Sequence, residues 1–235
     1  MARVRRIVTS RSGGASAGPY ASFNLATHVG DDPAAVAANR DRLARAIGLG
    51  QERLAWMEQV HGGRVAVVDG PRTDPVPGTD ALVTASPGLA LAVLVADCVP
   101  VLLADPGAGV VAAVHAGRSG AGAGVVPSAV RAMGGLGARP AGTDALLGPA
   151  VCGACYEVPA ELRDEVEARL PGSATTTRRG TPGLDLRTGL AGQLASLGVL
   201  RVVADPRCTA EDPELFSHRR DGVTGRQAGV VWIGP

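Results

Sequence analysis

The sequence predicts a mixed α/β or α+β fold, and three features of the chain lead to this prediction. Four β-rich, apolar runs follow one another between residues 80 and 116, with Gly and Pro between them. Segments with helical spacing or helix-capping residues precede and follow these runs. The chain has 235 residues, of which 46% are hydrophobic, so it can bury a large core. We therefore expect one domain that spans residues 1–235.

The N-terminal half is predicted to hold one helix and most of the sheet. Residues 12–24 have the small, turn-forming composition of a loop. The first helix has Asp32 as its expected N-cap, Pro33 in its first turn and a glycine at its end. In chain order we predict this helix over 31–50 and strands over 54–60, 63–69, 80–85, 89–97, 100–105 and 110–116.

The C-terminal half is predicted to be mainly helical, with short strands at its end. Apolar residues recur at helical spacing in three segments, and Pro159 is permitted in the first turn of the second one. In chain order we predict helices over 121–137, 159–170 and 184–199, followed by strands over 201–205 and 228–234.

Composition argues for a small-molecule partner. The formal net charge is +1, and both signs are interspersed, so nothing in the chain resembles a nucleic-acid-binding surface. No apolar run reaches the roughly 18 uninterrupted residues of a membrane span, and the basic N-terminus lacks the apolar segment of a signal peptide. Four cysteines are too few for a disulfide framework. We expect a cytoplasmic monomer with reduced thiols and no membrane partner.

All 23 basic residues are arginine, and the chain has no lysine. This absence excludes Schiff-base chemistry, a Walker-type phosphate lysine and a Ser-Lys dyad. Any bound anion must therefore be held by arginine, by backbone N–H groups or by a metal ion. The planar guanidinium group suits phosphate because it can donate two parallel hydrogen bonds.

The strongest candidate for chemistry is the set His61, Cys98 and His115. Each residue lies where an apolar, strand-like segment meets a turn with Gly or Pro nearby. Two imidazoles and one thiolate suit Zn²⁺, and three protein ligands leave a fourth position open, as in catalytic zinc sites. Copper accepts the same ligands. The intervals of 37 and 17 residues match no short metal motif, so packed, hydrogen-bonded side chains remain an alternative.

A metal-free alternative uses the same residues. Cys98 would be a nucleophile and His115 its base, as in cysteine hydrolases that act on amides or esters. Asp97 would point to the opposite sheet face from Cys98 if both lie in an extended strand, and we expect it to be a buried, hydrogen-bonding carboxylate.

Seven segments carry a resemblance to a known family. They are EQVHGGRVAVVD, TDALVT, ADCVPVLLAD, VVAAVHAG, LGPAVCGACYEV, LDLR and CTAEDPELFSHRRDGVTGRQAGVVWI. In this order they resemble the multicopper polyphenol oxidase laccase domain family. It is also known as the YfiH-like or purine nucleoside phosphorylase family, and it includes bacterial YlmD and human FAMIN. The resemblance covers nearly the whole chain.

The resemblance implies a fold, a metal site and an activity. The implied fold is a single-domain α/β/β/α sandwich with mixed sheets, and the implied zinc ligands are His61, Cys98 and His115. The implied reactions are phosphorolysis of adenosine, inosine, guanosine and methylthioadenosine, together with adenosine deamination. The oxidase label assumes copper, but the chain has four histidines, which are too few for a multicopper oxidase. A proposed role for relatives in editing cell-wall precursors would fit the thiol-hydrolase alternative.

Further residues are candidates for binding the nucleoside and phosphate. The resemblance places Asn24 and His28 at the substrate pocket, where the alternatives are a turn-stabilising amide and a solvated imidazole. The arginines that could hold phosphate, if they are not ordinary surface residues, are Arg40, Arg219, Arg220 and Arg226.

Four positions depart from the family pattern. The family commonly reads HAGWRG where this chain reads HAGRSG, which puts Arg118 in place of Trp and Ser119 in place of Arg. His218 stands where the family has Tyr, and we do not expect it to be a fourth ligand. Cys152 lies outside the pattern and Cys155 within it; we expect both to be packed thiols.

Overall fold

Residues 2–234 are described by the structure, a computed structural model, and they form two main β-sheets with helices outside them. The strands are β1 Val4–Val8, β2 Leu54–Ala55, β3 Val65–Val67, β4 Ala81–Thr84, β5 Ala90–Val95, β6 Val99–Asp105, β7 Val110–Ala116, β8 Asp144–Leu147, β9 Ala174–Thr176, β10 Pro182–Leu184, β11 Arg201–Ala204 and β12 Gln227–Ile233. The α-helices are α1 Pro33–Ile47, α2 Arg118–Gly122, α3 Val125–Gly135, α4 Ala160–Arg169, α5 Leu186–Ser196 and α6 His218–Asp221.

The first sheet has four strands in the order β1-β12-β5-β2. Strand β12 pairs antiparallel with both β1 and β5, so the two ends of the chain meet in one sheet. The second sheet has six strands in the order β11-β8-β6-β7-β4-β3 and mixes parallel with antiparallel pairs. Strands β9 and β10 form a separate antiparallel pair.

Three apolar layers hold the elements together. Helix α1 covers the outer face of the four-stranded sheet through Leu43 and Ile47, which pack in one cluster with Trp232. The two sheets pack face to face, with Leu91 and Leu102 among the residues buried between them. Helices α3, α4 and α5 cover the outer face of the six-stranded sheet. The predicted α/β/β/α sandwich with mixed sheets is confirmed.

Central strands lack polar alternation because both of their faces are buried. In β5, Ala90, Ala92 and Leu94 join the layer under α1. The alternate residues Leu91, Val93 and Val95 join the layer between the sheets. Burial on two faces explains why this segment reads as a continuous apolar run.

The predicted elements are mostly present, with local corrections. Asp32 caps α1 by accepting a hydrogen bond from the Ala34 N–H group, and Gly48 ends the helix in a left-handed conformation. The helix predicted over 121–137 is instead two helices, α2 and α3, because Gly124 between them has a φ of 77°. The strand predicted over 54–60 is only two residues long.

Two strands of the main sheets were not predicted. Two adjacent arginines interrupt the apolar pattern of β1, although the strand pairs with β12 along its whole length. Strand β8 is only four residues long, which is too short for a period to be recognised in its sequence. Among residues 2–234, no helix combines the length and apolar character that crossing a membrane requires.

Candidate functional site

A cavity of about 340 Å³ lies beside the turn that joins β5 to β6. This turn carries the chain from the four-stranded to the six-stranded sheet. The segment between β2 and β3, which holds His61, makes the same passage. His115 is near the end of β7. The cavity therefore lies at an edge where the two sheets meet, and His61, Cys98 and His115 all line it.

His61 is placed by a turn that folds around the carboxylate of Asp80. The backbone N–H groups of His61 and Gly62 donate to the two Asp80 oxygens over 2.9 Å and 2.7 Å, and the Val60 N–H donates over 3.3 Å. His61 has a φ of 59°, a left-handed conformation that side chains rarely adopt. The hydrogen bonds to Asp80 hold this backbone conformation in place and leave the imidazole exposed at the cavity.

His115 is fixed by the same carboxylate. It is 2% exposed, and its Nδ1 lies 2.8 Å from Asp80 Oδ1. We assign one ring proton to Nδ1 in this hydrogen bond, so Nε2 is the nitrogen that would bind a metal ion in exchange for its own proton. A carboxylate that orients a ligating histidine in this way is a common feature of metal sites.

Cys98 follows a residue with unusual backbone geometry. Asp97 has a φ of 92° and lies in the bend between β5 and β6, so the predicted extended conformation of this residue is wrong. Its role as a hydrogen-bonding carboxylate is confirmed, because Thr209 and Ser217 donate to Oδ1 over 2.6 Å and 2.7 Å. The Arg219 N–H donates to Oδ2 over 2.6 Å. These bonds tie the Cys98 turn to the C-terminal segment.

The three predicted metal ligands come together in space. Their ligand atoms all lie within 4.8 Å of one another, and Cys98 Sγ is 3.9 Å from His61 Nε2. The imidazole rings of His61 and His115 meet edge to face with 4.6 Å between their centroids. A side chain at position 117 would interfere with this group, because a Cβ on Gly117 would lie 2.9 Å from Cys98 Sγ.

Charge is shared between the thiol and the imidazoles. Burial raises the pKa of the Cys98 thiol, but hydrogen bonds and positive charge from His115 and His61 outweigh burial and bring the pKa to about 6. Burial lowers the pKa of His115, but the hydrogen bonds to Asp80 and Cys98 raise it to about 9. The site therefore favours a thiolate, which is the form that binds metals and acts as a nucleophile.

The cavity also holds positively charged groups. Arg118 and Arg226 line it and are half-buried, and Arg219 lines it near the Tyr156 ring, 5.0 Å from the ring centroid. His28 lines it as well, and burial followed by the charge of Arg226 lowers its pKa. Three guanidinium groups on one cavity are suited to an anion such as phosphate.

Three predicted binding residues do not line this cavity. Asn24 is fully buried, and its side chain bonds to Ala26, Asp31 and the Arg226 N–H. The Asn24 side chain has a structural role, because its Oδ1 accepts the backbone N–H of Arg226, and Arg226 lines the cavity. This geometry corrects the expectation that the Asn24 side chain itself lies at the pocket.

The other two are Arg40 and Arg220. Arg40 donates to the Leu25 carbonyl over 2.9 Å and stacks on the Trp56 ring. The Arg220 guanidinium pairs with Asp221 and donates to three backbone carbonyls. Both guanidinium groups are occupied by internal contacts, and neither lines the cavity.

Sequence reasoning missed several residues of the site. Asp80 lies directly before β4. The sequence feature that could have identified it is an acidic residue at the start of a buried strand, within the segment TDALVT. Tyr156 lines the cavity wall. Gln59 pairs with both backbone groups of Leu94 over 2.8 Å, so it joins the His61 segment to β5. No periodicity could have identified Gln59, because its partner is 35 residues away.

Two solved structures share this architecture. Crystal structures of YlmD from Geobacillus stearothermophilus and of the hypothetical protein YfiH from Bacillus licheniformis superpose with TM-scores of 0.93 and 0.91. Sequence identity is 34% for YlmD, with 99% of this chain and 92% of YlmD covered. It is 31% for YfiH, with 98% and 92% covered.

Comparisons of sequence give nearer relatives. A Mycobacterium tuberculosis protein named purine nucleoside phosphorylase is 63% identical over 231 residues, which are 98% of this chain and 92% of that protein. One of the same name from Corynebacterium glutamicum is 58% identical, covering 98% of this chain and 94% of that protein. The family model described as multi-copper polyphenol oxidoreductase laccase matches residues 5–234. The resemblance inferred from the sequence motifs is confirmed, and the chain belongs to this family.

Proposed function

We propose that this chain is a zinc-dependent purine nucleoside phosphorylase. The observation that carries the proposal is the meeting of His61, Cys98 and His115 in a cavity that arginines also line. Relatives that share 58% and 63% identity bear the name of this activity, which supports the reaction class. The proposed substrates are phosphate and the nucleosides adenosine, inosine, guanosine and methylthioadenosine.

Zinc fits the residues present. His115 is buried and offers Nε2 because its Nδ1 is bonded to Asp80, and Cys98 is stabilised as a thiolate. His61, Cys98 and His115 would hold the ion and leave one position open. When bound, zinc would supply Lewis acidity to groups in the cavity. A single copper ion suits the same donors.

The donors do not fit a multicopper oxidase. The chain has four histidines, and among residues 2–234 only one group of potential metal ligands contains histidine. A set of several copper ions would need more imidazole ligands than this group provides. The family description therefore identifies the relatives of this chain, but the multicopper chemistry in that description does not fit the donors present.

The chain's own side chains account for binding and orientation. Arg118, Arg219 and Arg226 would hold phosphate so that one oxygen faces C1′ of the ribose. That oxygen forms a bond to C1′ as the bond from C1′ to the purine nitrogen breaks. The purine leaves with the bonding electron pair and takes up the proton that the attacking hydrogen phosphate loses. The guanidinium groups offset the charge of the phosphate throughout.

A second reaction belongs to the proposal. In adenosine deamination, water replaces the 6-amino group of the purine and ammonia is released. This reaction needs no phosphate, so it separates experimentally from phosphorolysis. We also propose that residues 1–235 form one domain, which the pairing of β1 with β12 supports. A cytoplasmic location is proposed because the four cysteines are free, as in reducing compartments.

A metal-free thiol hydrolase is the second candidate function. The lowered pKa of Cys98 and its contact with two imidazoles favour it, because both are features of nucleophilic cysteines. In this reaction the Cys98 thiolate would form a bond to the carbonyl carbon of an ester or amide. The alcohol or amine would leave with a proton from His115, and water would then hydrolyse the thioester and regenerate the thiolate. His61 would then be dispensable.

The test uses the untagged, purified chain with adenosine, in the presence and absence of phosphate. We expect adenine and ribose 1-phosphate to form only with phosphate, and inosine to form in either case. Elemental analysis should find zinc, and Cys98→Ser and His61→Ala should each lose both the metal of this site and turnover. His218→Ala changes a cavity histidine outside the ligand set and should keep the metal.

Two results would contradict the proposal. Adenine release that is independent of phosphate would exclude phosphorolysis. Ester hydrolysis that survives His61→Ala but is abolished by Cys98→Ser would establish the thiol hydrolase instead.

A further inference from the structure

A second group of metal-ligating side chains lies outside the cavity described above. It consists of Cys152, Cys155, Cys208 and Glu211, whose ligand atoms all lie within 4.8 Å of one another. Cys152 and Cys208 are 56 residues apart in the chain. They come together because β8 and β11 are parallel neighbours, and each cysteine follows the carboxyl end of one of these strands.

The two contributing segments have matching local structure. The Cys152 carbonyl accepts hydrogen bonds from the N–H groups of Cys155 and Tyr156, both over 2.9 Å. The Cys208 carbonyl accepts from Glu211 and Asp212 over 3.1 Å and 2.8 Å. Each turn therefore closes between the first and fourth residues, which are the potential ligands. A spacing of two residues between ligands is typical of structural zinc sites.

Backbone contacts hold the two turns against each other. Ala150 forms an isolated parallel bridge with Cys208, and the Thr209 N–H donates to the Ala150 carbonyl over 3.2 Å. The Cys152 N–H points at Cys208 Sγ over 3.3 Å. The cluster is thus organised by the backbone rather than by flexible side chains.

The carboxylate is oriented toward the sulfur atoms. Glu211 Oε1 pairs with the Arg178 guanidinium, and Oε2 lies 3.9 Å from Cys152 Sγ. Arg178 also donates to Cys155 Sγ over 3.3 Å. Its positive charge would offset part of the negative charge of three thiolates and one carboxylate around a divalent ion.

We propose that Cys152, Cys155, Cys208 and Glu211 form a second metal site, a structural zinc site closed by four protein ligands. Zinc–sulfur bonds of about 2.3 Å in a tetrahedron separate sulfur atoms by about 3.8 Å, which small movements of these side chains can reach. Three thiolates select a soft or borderline ion over magnesium or calcium. The expectation that Cys152 and Cys155 are only packed thiols is replaced by this assignment.

The position of the site gives it a structural purpose. Thr209 adjoins Cys208 and donates to Asp97 over 2.6 Å, and Asp97 directly precedes Cys98. Arg220 donates to the Thr209 carbonyl over 2.9 Å from the segment that also places Arg219. A metal ion that clamps the two turns would therefore hold the segment that supports the cavity wall.

The experiment isolates this site by removing the other one. Untagged Cys98→Ser protein, purified under reducing conditions, should retain about one zinc per chain, because its four proposed ligands are intact. The double variant Cys98→Ser/Cys208→Ser should lose this zinc. Cobalt substitution of the Cys98→Ser protein should give the intense near-ultraviolet charge-transfer band of several thiolates. This readout does not depend on enzyme activity.

A variant of the carboxylate ligand tests the site even if the Cys208→Ser variant fails to fold. Glu211→Gln in the Cys98→Ser background keeps all three sulfur atoms, and we expect it to lose zinc to a chelator that the parent resists. Glu161→Gln, in the exposed first turn of α4, is the matched control and should retain zinc as the parent does.

Three results would overturn the proposal. They are Cys98→Ser protein without metal, a cobalt derivative without a thiolate band, and a disulfide between two of these cysteines found by mass spectrometry of the unreduced protein. Phosphorolysis is measured separately. Absence of zinc from this site would not contradict the proposed function, and absence of phosphorolysis would not contradict the proposed zinc site.

Discussion

Asp80 links two of the proposed metal ligands through one buried carboxylate. It is fully buried, accepts the N–H groups of the His61 turn and bonds to His115. Burial alone would raise the pKa of Asp80, but the hydrogen bonds from His115 and Gly62 lower it overall. Asp80 does not line the cavity, so its effect is to position the two imidazoles.

Asp80→Asn should weaken metal binding at the His61, Cys98 and His115 site. The amide presents N–H donors to groups that are themselves donors, so the His61 turn and the His115 ring would lose their orientation. Loss of a carboxylate partner of this kind typically lowers metal affinity by about 10- to 100-fold. Titration with zinc against a chelator of known affinity measures the change.

The matched control is Asp105→Asn. Asp105 is also a buried carboxylate that accepts several backbone N–H groups, but its partners are Gly107, Ala108 and Arg139. It should destabilise the fold without changing zinc affinity. Equal affinities for the Asp80→Asn variant and the parent would show that Asp80 has no positioning role.

At the scale of single elements, turns are stabilised by short polar side chains. Asp32 starts α1, Asp185 starts α5 by accepting the Thr188 N–H, and Asp105 closes the turn between β6 and β7. Aspartate caps of this kind are predictable from sequence because their partners lie within a few residues. The Arg139 N–H that also donates to Asp105 is 34 residues away and was not predictable.

The Asp105 turn makes stability depend on pH. Burial would raise the pKa of Asp105, but hydrogen bonds from Arg139, Ala108 and Gly107 outweigh it, and the pKa is lowered in the fold. An unfolded aspartate titrates near pH 3.9, so the stabilisation is complete above this pH. It is lost as the pH falls through the lower pKa of the folded state.

We therefore expect Asp105→Asn to be less stable than the parent by about 1–3 kcal/mol at pH 7, with a difference that shrinks below about pH 3.9. Urea denaturation at several pH values measures it. Asp74→Asn, at an exposed position, should match the parent throughout. A difference for Asp105→Asn that stays constant down to pH 3 would refute the expected linkage.

At the scale of the whole molecule, the layer between the two sheets determines whether the site exists. Leu102 of β6 is fully buried in this layer together with Leu91 and Val231 of the opposite sheet. His61 and Cys98 lie on connections that pass from one sheet to the other. A shift of one sheet against the other would therefore separate the proposed ligands.

Leu102→Ala should lower the free energy of unfolding by about 2–5 kcal/mol, because it leaves a cavity in this layer. For a chain of this size the melting temperature should fall by about 2–4 °C for each kcal/mol. Leu200→Ala, at a side chain that is 77% exposed, should change stability by less than about 0.5 kcal/mol. A Leu102→Ala melting temperature equal to that of the parent would argue against tight packing between the sheets.

The amino-acid sequence predicts those features that depend on local patterns. It predicted the class of fold, the capped helix after Asp32, the buried strands around Cys98 and, through ordered motifs, the family. Periodicity and capping are properties of neighbouring residues, so they can be read along the chain. Edge strand β1 was not predicted because two adjacent arginines interrupt it, and strand β8 was not predicted because four residues are too few to show a period.

Contacts between side chains that are distant in the chain depend on the tertiary structure. It brought His61, Cys98 and His115 together across intervals that match no motif, and it placed Asp80 behind two of them. The side chains of Asn24, Arg40 and Arg220 bond to other parts of the protein and do not line the cavity. The tertiary structure also joined Cys152 and Cys155 to Cys208 and Glu211. Such contacts depend on how the two sheets pack, and packing joins residues that no local pattern relates.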